Sequence, residues 1–444
     1  MNIMEKALEI LKKYPLCDHC LGRQFASLGR NIENDNRGAT IKLALTLDAH
    51  ALAISKDKAG MKTLQILATN GFSKEAKDAL QKIKKRIPEK LLQPCFLCEN
   101  KFENLGDIMR KAAKMTAEYE YNTFLVGIKL PAKTEEEEDE LRAEFDISFG
   151  ENMRSEFGRI IGKKLAGYVG KVADYKKPDI VILINPLSEE IKIQLNPLYI
   201  TGRYKKLVRG IPQSKWFCSH CRGKGCEKCN WTGKMYQESV EEIIEKPFLE
   251  VTQGSKAFFH GSGREDIDAR MLGTGRPFAI EISNPKKRFL NLRQLEETVN
   301  SSGQGKVEIS NLQFADKEDV RRLKKAEAST KKYRVLIEFE NNITDDDLHR
   351  LEEELTNAVI KQKTPRRVLH RRADLKREKY IYEVKLKMLS PKKAEMKIKC
   401  QGGLYVKELV TGDEGRTTPS ISEILKIPAK PIKLDVLDVI ISEY

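Results

Sequence analysis

No stretch of the sequence approaches the roughly 20 consecutive apolar residues that a membrane-spanning helix needs, which argues against residence in a membrane. The opening residues Met1-Asn2-Ile3-Met4-Glu5-Lys6 lack the apolar core of a signal peptide. They read instead as a helix with Ile3, Ala7, Ile10 and Leu11 along one face, and a cytoplasmic protein is expected. Internal repeats are absent. So is a Gly-x-Gly-x-x-Gly fingerprint or a pyrophosphate-binding P-loop in a strand–turn–helix context, which argues against a methyltransferase or a thiolation enzyme. Negative charge is in the minority: 65 Asp and Glu stand against 80 Lys and Arg, a net +15 over 444 residues. That excess suits a polyanionic partner, nucleic acid first. A soluble protein from a Lys/Glu-rich proteome would carry a similar balance, since 33% of the residues are charged.

The length points to more than one core. Residues 1 to about 100 are mostly helical in pattern. Strand signals follow at Phe124 to Ile128 and Asp179 to Ile184, with a helical pattern at Arg154 to Val169 between them, an α/β unit. The acidic run Glu135 to Glu140 reads as a solvated helix start. After about residue 245 strand-like runs (Phe278 to Ile282, Tyr333 to Phe339, Ile381 to Leu386, Ile432 to Ile441) alternate with short helical patterns. The fold class expected is α+β, with a largely antiparallel sheet in the second part.

Cysteine outside pairs is scarce. Of nine, eight fall in four Cys-x-x-Cys pairs, and only Cys400 stands alone, as an apolar strand residue. Cys17 and Cys20, with Cys95 and Cys98, sit in turn contexts that let both thiolates of a pair face one ion; two such turns complete the tetrahedral, closed site of a structural zinc. Cys218, Cys221, Cys226 and Cys229 form a tighter set, with Gly223 and Gly225 to permit left-handed backbone. A second structural zinc is the preferred reading there, with a redox dithiol or an iron–sulfur cluster as alternatives.

Basic residues cluster at Arg203, Lys205, Lys206 and Arg209 around Tyr204, a composition suited to phosphate contact and base stacking. The bland alternative is a solvated loop. The stretch from Lys177 to Gln213 resembles the THUMP-type RNA-binding region of tRNA-modifying enzymes. A second basic segment, Gln362 to Asp374, holds Lys363, Arg366, Arg367, Arg371 and Arg372 with His370, and reads as phosphate-facing.

The densest stretch is His260 to Phe278, with four glycines, three arginines and three carboxylates in 19 residues. Such a composition suits a loop that approaches a ligand's backbone and charges closely. Gly263-Arg264-Glu265-Asp266 resembles the Gly-Arg-x-Asp signature of pseudouridine synthases. Its extension Ile267-Asp268-Ala269-Arg270-Met271-Leu272-Gly273-Thr274-Gly275-Arg276-Pro277-Phe278 is similar to the archaeal and eukaryotic Pus-ten family, which modifies the T-loop of tRNA. The resemblance implies a tRNA pseudouridine synthase, an isomerase that needs no catalytic cofactor, acting on uridines 54 and 55. It makes Asp266 the nucleophile, with Arg264 beside it at the substrate. Tyr333, in Lys331-Lys332-Tyr333-Arg334-Val335, is similar to the family's strand tyrosine and would stack on the target base. Gly402-Gly403-Leu404-Tyr405-Val406-Lys407 is similar to a Gly-Thr-Tyr-Ile-Lys/Arg strand, placing Tyr405 in the uracil pocket and Lys407 against Asp266, with Arg416 as a second candidate partner. Arg366 and Arg371 would hold RNA.

The resulting expectation is a zinc-binding, THUMP-containing accessory region over 1–245 (THUMP-like unit about 105–213) and a catalytic domain over 246–444, in a monomer that binds tRNA and no membrane. The reading from another class is a non-catalytic zinc-containing tRNA-binding protein, which would have no need of Asp266, Tyr333 and Lys407 together.

Overall fold

The computed structural model describes residues 2–85, 93–325 and 329–440. The chain divides into two compact units, Met1–Asn196 and Pro197–Tyr444.

In the first unit, helices Ile3–Lys13, Asn34–Ile54, Lys58–Thr69, Lys74–Lys82 and Leu105–Thr116 precede a small α/β layer. Their ends follow local chemistry: Asn2, Asp57 and Ser73 accept a backbone N–H from the first turn, the usual remedy for unpaired helix amides. Strands β1 (Thr123–Ile128), β2 (Val172–Ala173), β3 (Ile180–Asn185) and β4 (Glu190–Leu195) form a sheet in the order β2-β1-β3-β4, with β1 parallel to both neighbours. The helix Met153–Val169 bridges β1 and β2, capped by Asn152 at its start and by left-handed Gly170 at its end. Ile180, Ile182 and Ile184 alternate into the core. The acidic run falls inside the helix Ala132–Glu144. No described helix is long and apolar enough to cross a membrane.

The second unit is built on a ten-stranded sheet. Its strands are β5 (Leu198–Lys206), β6 (Lys256–Gly261), β7 (Ala269–Ser283), β8 (Val307–Ala315), β9 (Thr330–Phe339), β10 (Val359–Lys363), β11 (Lys376–Ser390), β12 (Lys393–Gln401), β13 (Thr417–Thr418) and β14 (Ala429–Ile440). The order is β13-β10-β11-β12-β9-β14-β7-β5-β8, with β6 added on β7. Within that sheet only the β14–β7 pair, at Leu434 to Val436, is parallel among the described residues. The antiparallel character expected from the sequence is therefore what the sheet has. Of the run Ile432 to Ile441, residue 441 lies outside the described residues. Two apolar clusters form the core, one around Val335, Ile337, Leu351 and Leu409, the other around Ile200, Phe248, Ile280 and Val299; Tyr333 packs against both.

The division at Asn196/Pro197 differs from the boundary expected near residue 245. The physical reason is β5, which pairs with β7 on one edge and β8 on the other as an interior strand of the second unit. The basic segment 203–209 and the second cysteine set therefore belong with the second unit.

Candidate active site

The signature loop lies between β6 and β7. Gly263 adopts φ +81°, which favours glycine, and a Cβ there would crowd the Arg276 guanidinium at 3.2 Å and Lys331 Nζ at 3.3 Å. From this bend Glu265 points into the core and Asp266 points the other way, into a cavity of about 710 Å³.

Glu265 anchors the loop. It pairs with the buried Arg276 at 2.9 Å and accepts the Tyr204 hydroxyl proton at 2.8 Å. Arg276 also donates to Ser262 O, while Gln213 Nε2 donates to Gly263 O and to the Tyr204 hydroxyl. Lys206 is fully buried, and its ammonium donates to Ile211 O at 3.0 Å, Asp266 O at 3.1 Å and Ile267 O at 3.2 Å. Three donors meet three carbonyls, which is how a buried ammonium is normally satisfied. Burial nevertheless lowers its pKa, to about 8.

Asp266 Oδ1 accepts from Arg367 at 3.2 Å, and Lys407 Nζ stands 3.4 Å from Oδ2. Arg367 is itself held by the buried Glu408 at 2.6 Å. Lys407 also donates to both oxygens of Asp268, at 2.8 and 2.7 Å. Burial works to raise the Asp266 pKa, but the Arg367 and Lys407 charges outweigh it and hold the carboxyl below its ordinary value. Tyr333, Leu404, Tyr405 and Val436 supply apolar and aromatic lining. Burial pushes the Tyr333 phenol upward, keeping it protonated. The Tyr405 hydroxyl accepts from Arg372 at 3.1 Å. Arg264 is exposed, lines the same cavity and lies 5.1 Å over the Trp216 ring, at cation–π range.

The structure thus brings Asp266, Arg264, Tyr333, Tyr405 and Lys407 to one cavity, and adds Arg367, Arg372, Lys331 and Trp216 to it. The segment after Gly403 is not the strand expected: β12 ends at Gln401, Gly403 turns the chain at φ +90°, and Tyr405 caps the helix Val406–Thr411. That places Lys407 and Glu408 on one turn, each holding a partner of the site. Arg416 is engaged elsewhere, with Thr364 O at 2.9 Å and with Asp374. Arg366 is exposed and pairs with Glu414. Arg371 ends the short helical turn Arg366–Arg371, and its side chain lies outside the described residues.

The expectation that residues 203–209 grip RNA does not hold for Tyr204 and Lys206, which are both fully buried. Arg203 donates to Thr274 O, Gly275 O and Val439 O, and Arg209 to Asp268 O and Leu434 O. These cations brace main chain because they lie on or just after an interior strand. Lys205, half-exposed, faces Glu308 at 3.6 Å.

Two groups of thiols could hold metal ions. Within each, Cys17, Cys20, Cys95 and Cys98 or Cys218, Cys221, Cys226 and Cys229, the sulfurs all lie within 4.8 Å of one another. Separations of 3.5 Å for Cys17–Cys98 and 3.7 to 3.9 Å in the second group are close to the ~3.8 Å edge of a tetrahedron with metal–sulfur bonds of about 2.3 Å. His19 is occupied with Glu156 at 2.9 Å and stacks on Phe102, so it is not needed as a ligand.

Comparison with known proteins supplies the context. The family model described as "Pus10, C-terminal" matches residues 199–440, and that described as "Pus10 THUMP domain, archaeal" matches residues 108–185. A protein of Methanocaldococcus jannaschii named tRNA pseudouridine synthase Pus10 is 46% identical over 433 residues, 97% of this chain and 93% of the relative. Proteins of the same name from Methanothrix thermoacetophila (39% identical, covering 99% of this chain and 94% of the relative) and Pyrococcus furiosus (38%, covering 99% and 98%) match nearly end to end.

Proposed function

The chain belongs to the Pus10 family of tRNA pseudouridine synthases, and on that premise we propose that it isomerises the T-loop uridines 54 and 55 of tRNA with Asp266 as nucleophile. The observation that carries the assignment of Asp266 is its carboxylate, held between Arg367 and Lys407 in a cavity shared with Tyr333 and Tyr405.

The chemistry follows from what each group can do. The target nucleotide must leave its stack to reach a carboxylate recessed in a cavity. The ionised Asp266 attacks, or stabilises positive character at C1′, as the N1–C1′ bond breaks. The detached uracil stays between Tyr333 and Tyr405, turns, and bonds C1′ through C5, which displaces the Asp266 carboxylate wherever it had bonded C1′; C5 then loses its proton and N1 takes one up. The product has the composition of the substrate, so no redox step or group donor enters. Arg367 and Lys407 keep the carboxylate deprotonated and aimed, and Glu408 fixes Arg367 in turn.

Zinc fits both thiol groups by donor set and spacing, with Cys17, Cys20, Cys95 and Cys98 as one site and Cys218, Cys221, Cys226 and Cys229 as the other. Four thiolates would close each coordination sphere, so the metal would tie backbone together and leave catalysis to the cavity. The first unit, with its THUMP match, would bind RNA. Arg366 and Arg371 are proposed phosphate contacts beside the cavity. The setting proposed is the cytoplasm, as a monomer, since one chain supplies the carboxylate, both cations and both tyrosines of the site.

Unmodified tRNA transcript incubated with the protein, then mapped for pseudouridine by carbodiimide labelling, tests the reading. Product in the T-loop with wild type, and none with Asp266→Asn at near-normal tRNA affinity, is the expected result. Tight binding with no product from wild type would favour the non-catalytic RNA-binder; normal product from Asp266→Asn would remove Asp266 from the mechanism.

A further inference from the structure

The turn around the second thiol group has a face that plays no part in holding the sulfurs. Phe217 is 60% exposed and Trp231 73%, although large aromatics are usually far more buried. Arg222, Lys224 and Lys228 are exposed within the same turn, against a single acidic side chain, Glu227. The backbone that carries both rings is fixed. Phe217 pairs with Lys234 in an isolated bridge and lies against Gly223, where a Cβ would come within 2.9 Å of its ring. Trp231 N donates to Cys226 O at 2.9 Å. The turn is also rooted at the catalytic cavity, because Trp216, next to Phe217, lines that cavity beneath Arg264 and meets Tyr236 edge-on at 5.6 Å.

Exposed rings on a stiff turn, interleaved with cations, match an unpaired RNA strand: each base offers a π-face to stack on, and each phosphate takes a cation. An acidic peptide would satisfy the cations but would leave the two rings without a counterpart. We propose that Trp231 and Phe217 stack on unpaired nucleotides flanking the target uridine, with Arg222, Lys224 and Lys228 on their phosphates; the proposal rests on the tRNA pseudouridine synthase reading. Extracting one nucleotide from a loop unstacks its neighbours, and this face replaces the stacking they lose.

The chain has two tryptophans, so in a Trp216→Phe background the fluorescence is that of Trp231 alone. Titration with an unmodified T-arm hairpin RNA is expected to quench it. In the otherwise native protein Trp231→Ala is expected to weaken binding of the hairpin roughly tenfold, while the single-turnover rate of pseudouridine formation at saturating RNA stays within about twofold. Trp231→Phe should recover most of the affinity, which a folding defect would not allow. Joint substitution Arg222→Ala and Lys228→Ala should lower the salt dependence of binding. Unchanged affinity in Trp231→Ala, or absent quenching while the hairpin binds, would overturn the proposal. A wild-type protein that is quenched but makes no pseudouridine would instead count against the enzymatic reading.

Discussion

Asp266 sits where two effects oppose each other. Removing a carboxylate from water favours its neutral form, and two cations within 3.4 Å favour the charged one. The cations prevail, so the folded-state pKa is depressed and the carboxylate stays ionised to lower pH than an ordinary one. Activity dependent on Asp266 should therefore fall off at lower pH than an ordinary carboxylate would dictate. Arg367→Ala removes the cation that donates to Asp266 Oδ1 and should move the acid limb of kcat/KM to higher pH, with Arg367→Lys restoring part of the shift. A pH–rate profile checks this, and an unmoved limb would mean that Lys407 alone holds the carboxylate. The sequence pointed to this neighbourhood without resolving it. A run with basic residues at 366, 367, 371 and 372 folds into a tight helical turn, and no periodicity in such a short element tells which side chain will face inward. Arg366 and Arg371 were the residues expected at RNA, and Arg367 between them is the one that reaches Asp266. Tyr333 and Lys407, by contrast, were legible because a linear motif fixes them.

At the scale of one element, β5 explains why a basic segment misleads. Its alternation sends Tyr204 and Lys206 into the core and leaves Arg203 and Lys205 on the other face. Read as composition, Arg-Tyr-Lys-Lys suggests an RNA-gripping loop. Read as an interior strand, it supplies a buried ammonium clamped to the backbone of Asp266 and Ile267. What was missing from the sequence was the pairing partner, since β7 and β8 lie far along the chain. Lys206→Met should leave tRNA affinity within a few-fold but lower kcat by about 10-fold to 100-fold, because displacement of the nucleophile by about an ångström is costly. Steady-state kinetics beside a melting curve would check it; an unchanged kcat in a folded variant would show that the loop holds its shape without the clamp.

At the scale of the molecule, the two thiol groups differ in depth. All four cysteines of the first are buried, whereas Cys221, Cys226 and Cys229 of the second are half-buried. Metal analysis of the purified protein should give about two zinc ions per chain, and a chelator should remove the more accessible ion first, before the melting temperature falls steeply. A folded, metal-free protein would refute the assignment. Both groups were legible as paired spacings, and the α+β class as alternating patterns. The division between units was not, because the stretch after residue 197 carries no linker composition and its strand enters a sheet whose other members come later.

That late completion has a consequence for biosynthesis. β14 is inserted between β9 and β7, and its Asp435 receives Arg270 from β7, Arg334 from β9 and Arg209 from the segment after β5. On a translating ribosome the first unit can fold while the rest is still being made. The catalytic sheet must wait, split into two half-sheets, until residues 429–440 emerge to bridge them. The Asp266 cavity therefore closes only once those residues have emerged, and a nascent chain stalled before β14 would expose two unpaired inner edges.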